Sequence, residues 1–425
     1  MAEQNWARNY TYSTENVHRP ETLEQVQALV ADCPRIKALG TRHSFNGIAD
    51  STTNLLSLEK FNRVLKIDAA RRTVTVEAGI KYGTLSERLH AEGFALHNMA
   101  SLPHISVAGA CATATHGSGD RRANLAAAVS AMEIVTATGE VKNVSRKQDG
   151  ETFSGLVVHL GGIGIVTKIT LDILPTYWAR QDVYENLPIE TAAAHFDEIT
   201  ASGDSVSLFT DWKAAQFNQV WRKRETQADD ASEAEAEFFG AIRATRPHHP
   251  IPDVDAQHCT QQLGVPGPWH ERLPHFRMDF TPSSGEELQS EYLLPRSSAG
   301  AALVALMARR EQIAPLIQIS EVRTIAADNL WMSPCYHQDC VSLHFTWVDE
   351  WPAVRNLLPE IEAILSPFSA RPHWGKLFTL PPAQIQALYP KLPEFRELLR
   401  QFDPQGKFRN AFLDALIPPA SFSQV

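Results

Sequence analysis

Gly40-Thr41-Arg42-His43-Ser44-Phe45-Asn46 follows a short apolar strand signal, Arg35-Ile36-Lys37-Ala38-Leu39, and breaks it at a glycine. A strand that stops there turns several backbone N–H groups outward without ladder partners, and successive N–H groups in a tight turn form a concavity that binds phosphate oxygens. The turn also carries the imidazole of His43. A second stretch, Ser101-Leu102-Pro103-His104-Ile105-Ser106-Val107-Ala108-Gly109, runs on to Thr113-Ala114-Thr115-His116-Gly117-Ser118-Gly119. Its small residues suit a backbone that lies directly against a ligand.

Outward from these loops, helix and strand signals alternate. Thr22-Leu23-Glu24-Gln25 is a capping box, and Leu23, Val26, Leu29 and Val30 share one helical face. Thr73-Val74-Thr75-Val76-Glu77-Ala78 alternates like a half-buried strand and ends at Gly79. Thr84-Leu85-Ser86-Glu87 predicts the capped start of a second helix. Residues 132–137 and 141–144 flank Thr138-Gly139-Glu140 as a hairpin, and 161–171 enter a strand that ends near Pro175. This mixture predicts an α+β layer architecture rather than a uniform βα repeat. A nicotinamide-type fingerprint is missing, because Thr167 stands where the third glycine after Gly162-Ile163-Gly164 should be.

Beyond Pro175 the segments become longer and more polar, with more tryptophan and histidine, which puts a domain boundary at 175–180. Residues 222–255 contain Asp229, Asp230, Glu233, Glu235 and Glu237 and then Pro247-His248-His249-Pro250, and read as a solvated helix followed by a proline-rich excursion. Strands are expected at 317–324, 340–348 and 375–380, with helices at 297–310 and 353–365. These make an antiparallel sheet with helices on one face. At 425 residues the chain exceeds one core, so two domains are expected.

Composition narrows the function. Apolar content of 44% and charge of 21% are those of an ordinary globular protein. With 39 basic and 49 acidic residues the net charge is −10, and no stretch concentrates Lys or Arg, so nucleic acid is not an expected partner. No apolar run reaches transmembrane length and residues 1–12 are polar, so neither a membrane association nor a secretory signal is expected. The odd, scattered set Cys33, Cys111, Cys259, Cys335 and Cys340 reads as reduced thiols in a cytoplasmic enzyme.

Two tempting chemistries fail on spacing. His270-Glu271-Arg272-Leu273-Pro274-His275 places its second histidine one position too far for a zincin, and Pro274 would break the helix, so no metal site is expected. Thr115-His116-Gly117-Ser118-Gly119 puts His116 where a nucleophile elbow needs glycine. Glu321-Val322-Arg323 and His344-Phe345-Thr346 each send alternate residues to one side of a strand. Such polar faces are the default for an antiparallel sheet. Together with Lys376, after His373-Trp374-Gly375, they also have the composition of a site for a hydroxyl-rich substrate: carboxylate, guanidinium and an ammonium whose pKa falls on burial.

The Gly-Thr-Arg-His-Ser-Phe turn at 40–45, the run from Val107 to Gly119, and the Glu-Val-Arg, Leu-His-Phe-Thr and His-Trp-Gly-Lys segments resemble the vanillyl-alcohol-oxidase superfamily. The nearest branch is the alditol (xylitol or sorbitol) oxidases, with sugar-lactone oxidases as relatives, and the resemblance covers nearly the whole chain. It implies a two-domain PCMH-type flavoprotein: an FAD-binding α+β domain at 1–177, a substrate domain with a helix-covered antiparallel sheet at 178–400, and a terminal return at 401–425. It also implies that terminal hydroxyls of alditols are oxidised to aldoses with dioxygen going to hydrogen peroxide, or else that the same scaffold serves an aldonolactone oxidase or dehydrogenase. A monomer whose partners are a small polyol and dioxygen is expected.

Read alone, His43 is a hydrogen-bonded loop histidine; the resemblance makes it the covalent anchor of FAD through the flavin 8α-methyl. The resemblance further places Leu39, Gly40, Thr41, Arg42, Ser106 and Gly109 along the cofactor. Thr113, Ala114, Thr115, His116 and Ile165 follow, and Ser101, Thr346 and His373 complete the lining. Around the polyol it places Ser101, Gln289, Glu321, Arg323 and Thr346, with Lys376, Arg323 and His344 as catalytic groups. Lys376 is the better base candidate and His344 its rival. Ala110-Cys111-Ala112 departs from the usual small residues and leaves oxidase versus dehydrogenase open.

Overall fold

The computed structural model describes residues 2–279 and 286–419. Residues 420–425 of the expected terminal return lie outside them. The first core is built on α1 (Leu23–Asp32), whose cap is the predicted one: Thr22 Oγ1 accepts from Gln25 N, and Val26 and Val30 are buried. It leads into β1 (Lys37–Leu39), paired in parallel with β2 (Leu55–Ser57). Then come β3 (Val64–Asp68) and β4 (Thr73–Glu77), the latter burying Val74 and Val76 as its alternation requires.

Next is α2, Tyr82–Ala91, which starts ahead of the predicted capping box and has no side-chain cap at Lys81. The reason is tertiary. Its first amides donate to loop carbonyls instead, Tyr82 N to Ile105 O at 3.0 Å and Gly83 N to Pro103 O at 2.8 Å. The short helix α3 (Val107–Ala112) follows, then the hairpin β5 (Val129–Val135) and β6 (Val141–Ser145), with Gly139 at φ 84° in its turn. After α4 (Arg146–Val157), β7 (Ile165–Asp172) completes an antiparallel five-stranded sheet of order β3-β4-β7-β5-β6.

A ten-stranded antiparallel sheet dominates the rest. Its long members are β8 (Trp178–Pro188), β9 (Ser205–Thr210), β10 (Gln216–Thr226), β11 (Glu287–Pro295), β12 (Ile317–Ile325) and β13 (Cys340–Val348). They lie in the order β8-β10-β9-β12-β13-β11. One face is apolar, with Leu208, Val322, Leu343, Phe345 and Leu288 buried in a core shared with α5 (Ile189–Ala194), α6 (Ala299–Met307) and α7 (Trp351–Leu365). Helices therefore cover one face, and the opposite face carries Glu321, Arg323, His344 and Thr346.

Three sequence expectations need correction. Residues 222–255 hold no helix: residues 222–226 finish β10, which pairs on both sides and buries Arg222 and Lys223. Two of the five acids there fold back onto buried arginines, Glu235 onto Arg222 at 2.5 Å and Asp230 onto Arg180 at 3.1 Å, while Asp229, Glu233 and Glu237 are exposed as a solvated segment requires. Residues 375–380 are not a strand. His373 N donates to Glu291 O and Leu377 N to Gln289 O, so residues 374–376 loop out from the sheet edge. Asn46 Nδ2 clamps that loop through Trp374 O at 2.9 Å and Lys376 O at 2.8 Å.

The third concerns the chain's return. α8 (Pro382–Leu388) and α9 (Leu392–Phe402), assigned with 178–400, bury Ile385, Phe395, Leu398 and Leu399 in the first core. The return therefore begins ahead of 401. After it, Asn410 caps α10 (Ala411–Leu416) and donates to Gly47 O, Ile48 O and Asp50 O, so the chain end buttresses the turn after His43. Among the described residues no helix is long and apolar enough to cross a membrane.

Candidate active site

Both opening loops and the polar sheet face line one cavity of about 1130 Å3. That exceeds the usual 300–1,000 Å3 of a pocket for a single small ligand. One stretch of wall is the turn at residues 40–45. No described residue accepts from the amide N–H groups of Thr41, Arg42, His43 or Ser44. Arg42 has φ 64° and Ala114 φ 55°, so each loop holds a non-glycine residue in the left-handed region, a strain that persists where the surroundings fix it and function uses it. Gly117 permits close approach, since a Cβ there would come within 2.2 Å of Met99 O.

His43 is fixed by neighbours on two sides. Trp6 stacks on it at 5.3 Å and its Nδ1 meets Thr41 Oγ1 at 3.1 Å, while the buried Nε2 has no partner. Burial, with the Lys376 charge, lowers its pKa to about 3, so the ring is neutral and keeps a lone pair. A partnerless buried nitrogen, unclaimed amides and a cavity of this size fit a dinucleotide cofactor carrying a diphosphate.

The polar face follows from strand register. Phe209, Glu321, His344 and Glu291 sit side by side across β9, β12, β13 and β11, and Gln289 lies opposite Thr346. Arg323 sits 3.0 Å from Glu291, 3.5 Å from Glu321 and 3.2 Å from Ser101 Oγ. Burial opposes charge here, yet Arg323 and His275 hold Glu321 well below the usual carboxylate range. Glu291, buried against His116 at 3.1 Å, is likewise held low by His116 and Arg323. Lys376 packs its ammonium 4.8 Å from the Phe45 ring centre and donates to Gln289 Oε1, which also meets His344 Nε2 at 3.2 Å. Burial lowers Lys376 to about 8 and His344 to about 3.

Of the residues expected at the site, Leu39, Gly40, Thr41, Arg42, His43, Ser101, Ser106 and Gly109 line the cavity, as do Thr113, Thr115, His116, Gln289, Glu321, Arg323, His344, Thr346, His373 and Lys376. Ala114 and Ile165 do not. Ile165 and Val166 both belong to the first core, but it is Val166, on the opposite face of β7, that also lines the cavity. Sequence reading missed Glu287, Glu291, His275 and Phe209, all lining residues. Glu287-Leu288-Gln289-Ser290-Glu291 carried the same two-residue alternation as Glu321-Val322-Arg323; His275 carried no local signal.

Family models match the chain at both ends of this site: an FAD binding domain over residues 14–145 and D-arabinono-1,4-lactone oxidase over 284–416. Alditol oxidase from a Streptomyces species is 47% identical over 416 residues, covering 97% of this chain and 98% of the relative. The chain belongs to the alditol oxidase family. As a member it is an FAD-dependent oxidoreductase. L-gulonolactone oxidase from Scyliorhinus torazame is 26% identical with 97% of each chain covered. Among solved structures, cholesterol oxidase from B. sterolicum superposes with a TM-score of 0.80 over 98% of this chain and 96% of its own, at 14% identity, a likeness of fold alone. The fold is the one the sequence motifs imply, an FAD-binding α+β domain with an antiparallel sheet covered by helices on one face.

Proposed function

We propose that this alditol oxidase family member oxidises the terminal primary hydroxyl of an alditol such as xylitol or sorbitol to the aldose, on FAD attached covalently through His43. The observation that carries this reading is the convergence of Lys376, Gln289, Glu321, Arg323, His344 and Thr346 in the cavity that His43 also lines. Such a set offers both donors and acceptors to successive hydroxyls and gives a ring of apolar carbon little to hold.

The amides of residues 41–44 with Ser106, Gly109, Thr113 and Thr115 would hold the diphosphate and ribityl parts, and His116, Thr346 and His373 the ring. Bound flavin supplies a hydride acceptor, and dioxygen carries the two electrons on to hydrogen peroxide. The chain's own residues prepare the alcohol. Lys376, with its pKa near the working pH, takes the proton of the reacting hydroxyl as a neutral amine. His344, at about 3, is a far weaker base. Arg323 stays charged between two carboxylates and stabilises the alkoxide as it forms, at no reorganisation cost because Glu291 and Ser101 already fix it. Glu321 accepts from a neighbouring hydroxyl.

An aldonolactone oxidase or dehydrogenase is the second reading, favoured by the lactone-oxidase model matching residues 284–416. Anaerobic flavin reduction across a panel of alditols and aldonolactones separates the two. Rapid bleaching by xylitol or sorbitol supports the first reading; bleaching by lactones alone refutes it. Reoxidation by dioxygen as fast as by an artificial dye identifies an oxidase.

A further inference from the structure

Glu321 is held by His275, a lining residue of the cavity, which Lys223 holds in turn from outside it. His275 Nε2 lies 2.7 Å from Glu321 Oε1, and His275 Nδ1 lies 3.1 Å from Lys223 Nζ. Lys223 Nζ also donates to Leu273 O at 2.6 Å and Pro274 O at 3.0 Å. All three side chains are buried, and the rings of Phe209 and Trp221 meet the imidazole edge-on at 5.5 and 5.2 Å.

An ammonium has three N–H groups and no acceptor. Burial lowers Lys223 to about 7, against the pull of Glu321, but it has three acceptors within reach, and the ammonium form satisfies all of them with Nδ1 of His275 accepting. The ring proton then sits on Nε2 and is donated to Glu321. The other tautomer would set a lone pair against a carboxylate that Arg323 keeps ionised. Burial lowers His275 to about 4, in keeping with a neutral ring whose orientation alone decides its role. The contacts from His275 and Arg323 both fall on Oε1, and no described residue donates to Oε2.

We propose that Lys223 and His275 are positioning residues for alditol oxidation: Lys223 fixes the imidazole tautomer, and the imidazole fixes Glu321 so that Oε2 receives the hydroxyl next to the reacting one. This rests on the reading of Glu321 as a polyol ligand. The test uses the flavin-loaded enzyme with sorbitol and its 2-deoxy counterpart, comparing wild type with His275→Phe, His275→Gln and Lys223→Met. Phenylalanine keeps the aromatic packing and removes the donor; glutamine keeps a donor at the Nε2 position.

For His275→Phe, KM for sorbitol rises about tenfold with kcat within about threefold, the loss of one well-aimed bond to a charged group. KM for the 2-deoxy compound stays at the wild-type value. Glutamine restores most of the sorbitol KM, and Lys223→Met, which leaves the ring free to turn, raises it. An unmoved sorbitol KM, an equal rise with both substrates, or glutamine behaving as phenylalanine overturns the proposal. Wild-type enzyme that does not distinguish the two substrates overturns instead the prior assignment of Glu321.

Discussion

Replacing Lys376 with methionine removes the proposed base while keeping a side chain of similar length against Phe45, 4.8 Å away in the native protein. The magnitude follows from the two candidate bases. Lys376 titrates at about 8 and His344 at about 3, so His344 is about five pH units weaker. With a Brønsted slope of about one half, proton transfer to His344 is slower by roughly 300-fold. At pH 7 only about a tenth of Lys376 is the neutral amine, which offsets roughly tenfold of that difference. Lys376→Met is therefore expected to slow flavin bleaching by roughly 30-fold at pH 7 and by roughly 300-fold at pH 9. Wild-type bleaching should climb about tenfold per pH unit below 8 and level off above it, since deprotonation creates the active amine. The variant's profile should be flat. Anaerobic stopped-flow mixing with saturating xylitol at pH 6 to 9 reads all of this. A variant within threefold of wild type at pH 9, or a wild-type profile flat through 8, would show that Lys376 is not the base.

Two further outcomes concern stability. Arg323→Met takes the guanidinium from between two buried carboxylates, leaving Glu291 with His116 and Glu321 with His275 as their imidazole contacts; removing one partner of a buried ion cluster costs about 3–5 kcal/mol, so its unfolding midpoint should fall steeply while Arg323→Lys falls less; thermal denaturation of both variants measures it, and equal midpoints would contradict the ion cluster. Asn410→Ala removes the cap of α10 and the donor to three carbonyls around residues 47–50, a loss of about 2 kcal/mol, and should lower the midpoint while leaving KM for xylitol unchanged.

What the sequence made legible is what local chemistry determines. Residues 340–348 were read with the bounds the strand has, because alternation and β-branched content are written within them. The α1 cap was legible for the same reason. Wherever a neighbour from elsewhere in the chain decides, local reading failed. Residues 375–380 look like a strand until Asn46 pins the loop that carries Lys376. The start of α2 depends on carbonyls from the 101–105 loop. Residues 222–226 carry charges that suggest solvent, yet Arg222 is buried beneath Glu235 and Lys223 meets His275 inside the fold. At the site, Glu287 and Glu291 showed the alternation that singled out Glu321 and Arg323, whereas His275 reaches Glu321 from a loop and could be found only in three dimensions.

The attachment of flavin to His43 is tested most directly by colour. Wild-type protein precipitated in acid and washed should keep its yellow in the pellet, and His43→Ala should lose it to the supernatant. A wild-type pellet that washes colourless, or a variant pellet that stays equally yellow, would contradict the assignment.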